Sequence, residues 1–404
     1  MSRDREPRDR EPRVERDADL PVDDLVDAPG PAFVGDARRP AERGRGAVSN
    51  ASGRFERTQR VSFDDGWGAT ASASASPDED LVEDPAPRTD TIITSEQTRT
   101  IIATNDSPDV PFDRSINPYK GCEHGCIYCF ARPTHAYLGL SPGLDFETRI
   151  TAKPDAPAAL RKELGARGYR CEMIALGANT DPYQPTERKL GITRAILEVL
   201  RDHDHPVGIV TKNALVTRDL DLLAPMAAKR LANVFVSVTT LDPRLAGVME
   251  PRASRPARRL DAIRRLTDAG VPVGVLASPM IPAINDGELE AILEAAHAAG
   301  ARWAGWILVR LPLEIKDLFA EWLQAHFPDR ADRVLSLIRD TRGGELYQSQ
   351  FGTRMRGTGA YATLIEQRFQ VAAARLGLNR TRPALDTAQF RPPGRPTAQL
   401  PLFK

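Results

Sequence analysis

The chain predicts an α/β fold of about six consecutive βα units. Two observations carry this. From Thr91 onward short apolar runs alternate with longer amphipathic ones, the texture of strands and helices in turn. Before that point residues 1–90 mix both charges around Pro, as in RDREPRDREPRVERDAD, and later turn to ATASASASPDED, leaving little to bury. The first strand is expected over 115–120. CEMIALG (171–177) reads as the second, and 186–200 as its helix, with Thr186 a candidate N-cap. VGIVT (207–211) precedes a helix at 217–226, and NVFVSVT (233–239) one at 255–269. VPVGVLA (271–277) precedes 286–299, and WAGWILV (303–309) precedes 314–325. Parallel strands joined by right-handed helical crossovers close into a full or partial barrel. One more helix is expected at 361–376.

The domain organisation follows. Residues 1–90 are expected to be a disordered charged tail, because such a composition does not offset its ordering entropy. Within it, RVSFDDGWG (60–68) is a short apolar exception able to dock on the core or bind a partner, the alternative being that it does neither. The core barrel spans 91–330, a helical extension 331–378, and a disordered basic Pro-rich tail 379–404. The chain has 404 residues, zero formal net charge and 41% hydrophobic content. Four cysteines, three of them clustered, argue against a secreted disulfide framework. No apolar run is long enough to span a bilayer, and the N-terminus is too charged for a signal peptide. A cytoplasmic location is expected.

The clustered cysteines carry the chemistry. Cys122, Cys126 and Cys129 lie in CEHGCIYC, with C-x3-C-x2-C spacing, on the loop after the first strand. That is the strand end where barrel active sites sit. Three thiolates on a tight loop hold three irons of a [4Fe-4S] cube and leave the fourth open. Zinc sites favour paired knuckles, and a closed cluster needs a fourth cysteine. The remaining one, Cys171, lies in an apolar strand-like run and reads as a small core residue.

This cadence resembles the signature of the radical S-adenosylmethionine (radical SAM) enzymes. The resemblance implies a partial (β/α)6 TIM-like barrel with disordered N-terminal and C-terminal tails. It also implies a [4Fe-4S] cluster and S-adenosyl-L-methionine as cofactors, with reductive cleavage of the latter to a 5'-deoxyadenosyl radical. Tyr128 fills the aromatic position that contacts the adenine. Within the superfamily, NPYKGCEHGCIYCF, GANTDPYQPTE, VTKN and SVTT are similar in order and spacing to spore photoproduct lyases and to bacterial paralogues often labelled DNA-repair photolyases. The match runs from about Ile116 to Leu313. By position, Lys212 meets the S-adenosylmethionine carboxylate; its plain alternative is a strand-end surface lysine. Ser237 contacts the ribose, or is an ordinary strand serine. Asn179, Thr180 and Asp181 stand where many members contact the methionyl amine, though Asp181 also suits a turn with Pro182. Gln184 and Glu187 are candidates for lining the substrate side.

Two positions depart from the pattern. The hydrogen-donating cysteine of spore photoproduct lyases falls at Ala178, and its partner tyrosine at Phe130. Neither side chain has an exchangeable hydrogen, so the same relay cannot operate. The chain is therefore expected to keep the radical machinery without repairing spore photoproduct.

Other residues invite a reading. His124 is expected to face water from the cluster loop, and His135 and Tyr137 to close over that loop. RDHDHP (201–206) reads as a solvated turn on the bottom face. YQSQFGTRMRGTGAY (347–361) suits a phosphate- or base-contacting loop, or an ordinary capping segment. Residues 341–404 hold ten Lys/Arg against three Asp/Glu, which suits either a nucleic-acid backbone or a solvated tail. At the end, Gln399, Leu400, Leu402 and Phe403 sit in QLPLF, which resembles the peptide that docks on the bacterial DNA polymerase sliding clamp. The leading reading is a lyase-like radical SAM enzyme acting on nucleic acid, served by an electron donor such as flavodoxin or ferredoxin. A small-molecule or peptide radical SAM enzyme, and a non-catalytic cluster-bearing sensor, are the alternatives.

Overall fold

The computed structural model describes residues 44–56, 90–381 and 385–394. After β1 (Ile92–Ser95) and β2 (Ile102–Thr104) comes β3 (Arg114–Ile116), the first parallel strand. A long excursion follows: β4 (Tyr119–Lys120), the cysteine loop, α1 (Leu144–Thr148), β5 (Arg149–Ala152) and α2 (Ala156–Leu164). β6 (Ile174–Leu176) is followed by α3 (Glu187–Leu190) and α4 (Ile192–Asp202), and β7 (Val207–Thr211) by α5 (Leu220–Ala228). β8 (Ala232–Ser237) precedes α6 (Pro243–Met249) and α7 (Pro256–Asp268), and β9 (Val273–Met280) precedes α8 (Leu289–Ala298). β10 (Trp303–Leu308) leads into α9 (Ile315–His326), α10 (Ala331–Asp340) and α11 (Gly359–Leu376).

The main sheet has the order β10-β9-β8-β7-β6-β3-β2, six parallel strands with the antiparallel β2 at one edge. Its edges are β10 and β2, so the barrel is open, the partial form. A second small sheet, β1-β5-β4, lies beside it. The strand interiors are the near-continuous apolar runs that a parallel sheet covered by helices needs: Val207, Gly208 and Ile209 of β7 are all buried. Among the described residues no helix is long and apolar enough to cross a membrane.

Several expectations need correction. The second strand is short: Cys171 and Glu172 stay out of the ladder, and Cys171 is half-buried. The helix expected over 186–200 is broken at Gly191, whose φ of +65° ends α3 and starts α4; Thr186 makes no side-chain cap. RDHDHP is not a solvated turn. His205 and Asp204 are buried, because the chain returns over them: Phe390 meets the His205 ring edge-on at 5.2 Å, and Arg391 pairs with Asp204 at 3.3 Å. That return also corrects the reading of 379–404 as wholly disordered. So does the other tail: residues 44–56 pack against the cysteine loop, with Arg45, Ala47 and Val48 buried. The 60–68 run and QLPLF lie outside the described residues.

Candidate active site

The cysteine loop is built by its neighbours. The Cys122 amide donates to the Phe146 carbonyl at 2.9 Å, and the Ile127 amide to the Met249 carbonyl at 3.1 Å. Gln184 closes the start of the loop, accepting from the Glu123 amide at 2.9 Å and donating to the Gly121 carbonyl at 3.1 Å. Gly125 sits at φ +67°, and a Cβ there would meet a Glu147 carboxylate oxygen at 2.6 Å. Behind the loop, Arg132 donates to the carbonyls of Cys126, Pro142 and Gly143 at 2.9–3.0 Å and pairs with Glu147. Both residues are fully buried. Glu147 in turn accepts the amides of Gly46 and Ala47 at 2.9 Å. The 44–56 segment is thus stitched to the cysteine loop through one carboxylate.

Cys122, Cys126 and Cys129 line one cavity of about 320 Å3 at the C-terminal ends of the parallel strands. Burial pushes all three thiols above their ordinary range, and the charges of Asp181 (on Cys122) and Glu250 (on Cys126) add to it. Cys171 is outside the lining. No three His, Cys, Asp or Glu among the described residues close on a single metal ion. A cube does not ask for that, since each corner iron takes its own thiolate. Three buried thiols opening onto one cavity, with no fourth in reach, fit a cluster having one open iron.

The predicted cofactor contacts gather at the same place. Tyr128, Asn179, Asp181, Lys212 and Ser237 all line the cavity. The Lys212 ammonium lies 5.8 Å from the Tyr128 ring centre. The Tyr128 hydroxyl donates to Glu250, which pairs with Arg259, and Arg259 donates to the Ser237 carbonyl at 3.0 Å. One buried chain therefore orients both Tyr128 and the end of β8. Asp181 acts as a clamp. Its carboxylate accepts from the Thr211 hydroxyl and the Lys212 amide, both at 2.7 Å, and from the Tyr183 amide at 2.9 Å, the turn bond. Burial raises its pKa, but His124 and these donors outweigh that and hold it at about 2. Thr180 stands apart: its hydroxyl donates to the Tyr119 carbonyl at 2.9 Å, away from the cavity.

Other expectations fall. Gln184 braces the loop instead of lining the substrate side. Glu187 is fully buried, accepting from Tyr119 at 2.5 Å and pairing with Arg218 at 2.8 Å. His124 does not face water. It is 1% exposed, lines the cavity, and lies 3.4 Å from Asp181. His135 is buried beneath the loop, its Nε2 3.0 Å from the Arg149 carbonyl, and Tyr137 packs on Phe55. Ala178 and Phe130 both line the cavity, so the two departures fall where substrate chemistry would occur. Part of the 347–361 stretch, Phe351, Arg354 and Met355, forms the roof of the cavity together with residues 103–112. The roof is held where Arg354 pairs with Asp109 at 2.5 Å. Sequence reasoning missed that pairing and the Glu250–Arg259 chain, for neither has a local signature.

The comparisons agree with this geometry. The family model described as "Radical SAM superfamily" matches residues 116–296. The uncharacterized protein Rv2578c of Mycobacterium tuberculosis is 38% identical over 232 residues, 57% of this chain and 68% of that protein. The uncharacterized protein MJ0683 of Methanocaldococcus jannaschii is 27% identical over 174 residues, covering 43% and 62%. Among solved structures, spore photoproduct lyase in complex with dinucleoside spore photoproduct superposes with a TM-score of 0.50 at 16% identity, over 71% of this chain and 80% of that one, a likeness of fold. With its cysteine triad, open barrel and matched core, this chain belongs to the radical SAM superfamily, whose cofactors are a [4Fe-4S] cluster and S-adenosylmethionine.

Proposed function

We propose that this protein is a radical SAM enzyme acting on nucleic acid, a lyase-like repair activity without the spore photoproduct hydrogen relay. The observation that carries it is one cavity lined by Cys122, Cys126, Cys129, Lys212 and Ser237 together with Phe130 and Ala178. Cys122, Cys126 and Cys129 would hold the cluster as thiolates. When bound, the cluster and S-adenosylmethionine supply a 5'-deoxyadenosyl radical by one-electron cleavage. Lys212 takes the cofactor carboxylate as a charge-assisted hydrogen bond. Asp181 fixes the Lys212 backbone, and Asn179 faces the methionyl amine. Tyr128, held by Glu250, flanks the adenine, and Ser237 the ribose. Phe130 and Ala178 present nothing that donates hydrogen, and the roof of 103–112 and 347–356 limits water.

Support for a nucleic-acid substrate comes from the fold shared with a lyase whose solved complex holds a dinucleoside lesion. The apolar wall of Phe112, Phe130 and Phe351 suits an unstacked base. QLPLF is proposed to dock on the polymerase sliding clamp, and a flavodoxin or ferredoxin to deliver the electron in a reducing, cytoplasmic compartment. A small-molecule substrate is the second reading, favoured by the modest cavity, which lies at the small end of ligand pockets (about 300–1,000 Å3).

The test is 5'-deoxyadenosine release by anaerobically reconstituted protein with dithionite, with and without UV-damaged DNA. Stimulation by damaged DNA is expected. Release that damaged DNA leaves unchanged would move the substrate to the second reading. Deleting residues 399–403 is expected to abolish capture by the sliding clamp.

A further inference from the structure

One deeply buried nitrogen at the cavity has no hydrogen-bond partner among the described residues. His124 lies between two of the cluster cysteines, is 1% exposed and lines the cavity. Its backbone is fixed from outside the loop, where the Arg252 amide donates to its carbonyl at 3.2 Å. Its Nε2 lies 3.2 Å from the side-chain nitrogen of Asn213. Its Nδ1 lies 3.4 Å from Asp181 Oδ2 but off the hydrogen-bond direction, and no other described group pairs with it.

Asn213 decides which imidazole nitrogen carries the hydrogen. Its Oδ1 caps the 3-10 turn over Ala214–Asp219, accepting from the Leu215 amide at 3.0 Å and from the Ser254 hydroxyl at 3.1 Å. That hydroxyl accepts from the Ala214 amide at 2.9 Å, which leaves its hydrogen for Asn213. Two donors on the oxygen fix the orientation of the side-chain amide and turn its NH2 toward His124. An NH2 only donates, so Nε2 accepts and the imidazole hydrogen sits on Nδ1. A buried donor left unsatisfied costs about 1–3 kcal/mol, and a bound ligand removes that cost.

The surroundings name the ligand group. Asp181 Oδ2 already holds the Lys212 amide at 2.7 Å, and Oδ1 the Thr211 hydroxyl at 2.7 Å and the Tyr183 amide at 2.9 Å. Asp181 is thus supplied without His124. His124 Nδ1 and the Lys212 backbone approach the same oxygen, so Nδ1 stands at the Lys212 end of β7. A lysine ammonium is a point charge that leaves the plane of a carboxylate unset. An N–H on a rigid ring beside it sets that plane.

We infer that His124 donates from Nδ1 to the carboxylate of S-adenosylmethionine, beside Lys212. The inference rests on the placing of that carboxylate at Lys212 above and is independent of the nucleic-acid substrate. It makes the first spacer of the cysteine cadence a cofactor contact.

The experiment is equilibrium dialysis of the full chain, anaerobically reconstituted, with S-adenosylmethionine and with its decarboxylated analogue. His124→Gln puts its amide near the Nε2 position and offers no donor at Nδ1. It should weaken S-adenosylmethionine binding by roughly 10-fold and leave binding of the analogue unchanged, at wild-type iron content. His124→Asn keeps an N–H near the Nδ1 position and should restore most of the affinity. Iron content identifies a variant that fails to take up the cluster; should His124→Gln do so, His124→Ala takes its place with the same expectation. Undiminished S-adenosylmethionine binding by His124→Gln overturns the inference. So does an equal loss for both ligands, which would make His124 a structural part of the loop. Lys212→Met serves as the reference: an equal loss for both ligands there, beside a selective loss in His124→Gln, removes the carboxylate from Lys212 and keeps it at His124.

Discussion

Glu147→Ala is the perturbation that most directly tests how the cysteine loop is held. The side chain is fully buried, pairs with the equally buried Arg132, and accepts two backbone amides from Gly46 and Ala47. Removing one partner of a buried pair leaves an uncompensated charge, at about 3–5 kcal/mol. The two stranded amides add about 1–3 kcal/mol each if no water reaches them. The low end alone lowers the melting temperature by roughly 5–10 °C in a fold of this size. Arg132 also holds the Cys126 carbonyl, so iron retention should fall with stability. The assay is calorimetric melting alongside iron and sulfide content after anaerobic reconstitution, with Glu147→Gln as the isosteric control. Gln keeps the shape and one acceptor, so it should lose less than Ala. If Glu147→Ala melts within about 1 kcal/mol of wild type and keeps full iron, the account of the loop's support is wrong.

Other outcomes follow from the same geometry. Cys126→Ala should abolish cluster assembly and S-adenosylmethionine cleavage, read by iron content and 5'-deoxyadenosine; surviving cleavage would sink the ligand assignment. Lys212→Met should weaken S-adenosylmethionine binding by roughly 10- to 100-fold at unchanged iron content, measured by equilibrium dialysis. Glu321 sits where burial, and then the Asp317 charge, raise its carboxyl from 4.5 to about 7. The folded state thus holds a proton that the unfolded chain has released, and stability falls as pH rises from about 4.5 to 7. Glu321→Gln should therefore raise the melting temperature more above pH 7 than near pH 5, and an equal rise at both would exclude this group.

The sequence made the barrel legible because the parallel strands are short apolar runs, with β6 and β7 buried almost throughout. Val207–Thr211 forms as read, and Asn233–Thr239 and Trp303–Val309 form within a residue or two of their expected limits. Asp286–Ala299 was harder, since its first turn is a 3-10 segment before α8. The excursion between β3 and β6 was illegible. Its β5 (Arg149–Ala152) pairs with Ile92–Ser95, before the barrel begins, and period alone does not announce so distant a partner. Within the site, the cadence identified the cysteines, and five of the six proposed contacts line the cavity. His124 escaped because a histidine among loop residues reads as solvated unless Asp181 and Asn213, both distant in sequence, are known to enclose it. The 44–56 segment escaped because Ala47 and Val48 are too brief an apolar pair to stand out in a charged tail.

That segment has a consequence for assembly in time. Glu147 receives it from one side, and Arg54 reaches across to Glu314 at 2.7 Å, about 260 positions further along. The three cysteines leave the ribosome long before Glu314 does. Until the last strand and α9 exist, Phe55 has Tyr137 to pack on but Arg54 lacks Glu314, and closing so long a span is an entropic cost met only when the rest of the barrel is in place. Nascent chains stalled before residue 314 should accordingly hold iron poorly, and chains stalled beyond α9 should hold it well. The fold thereby makes possession of the metal a report that the barrel is finished.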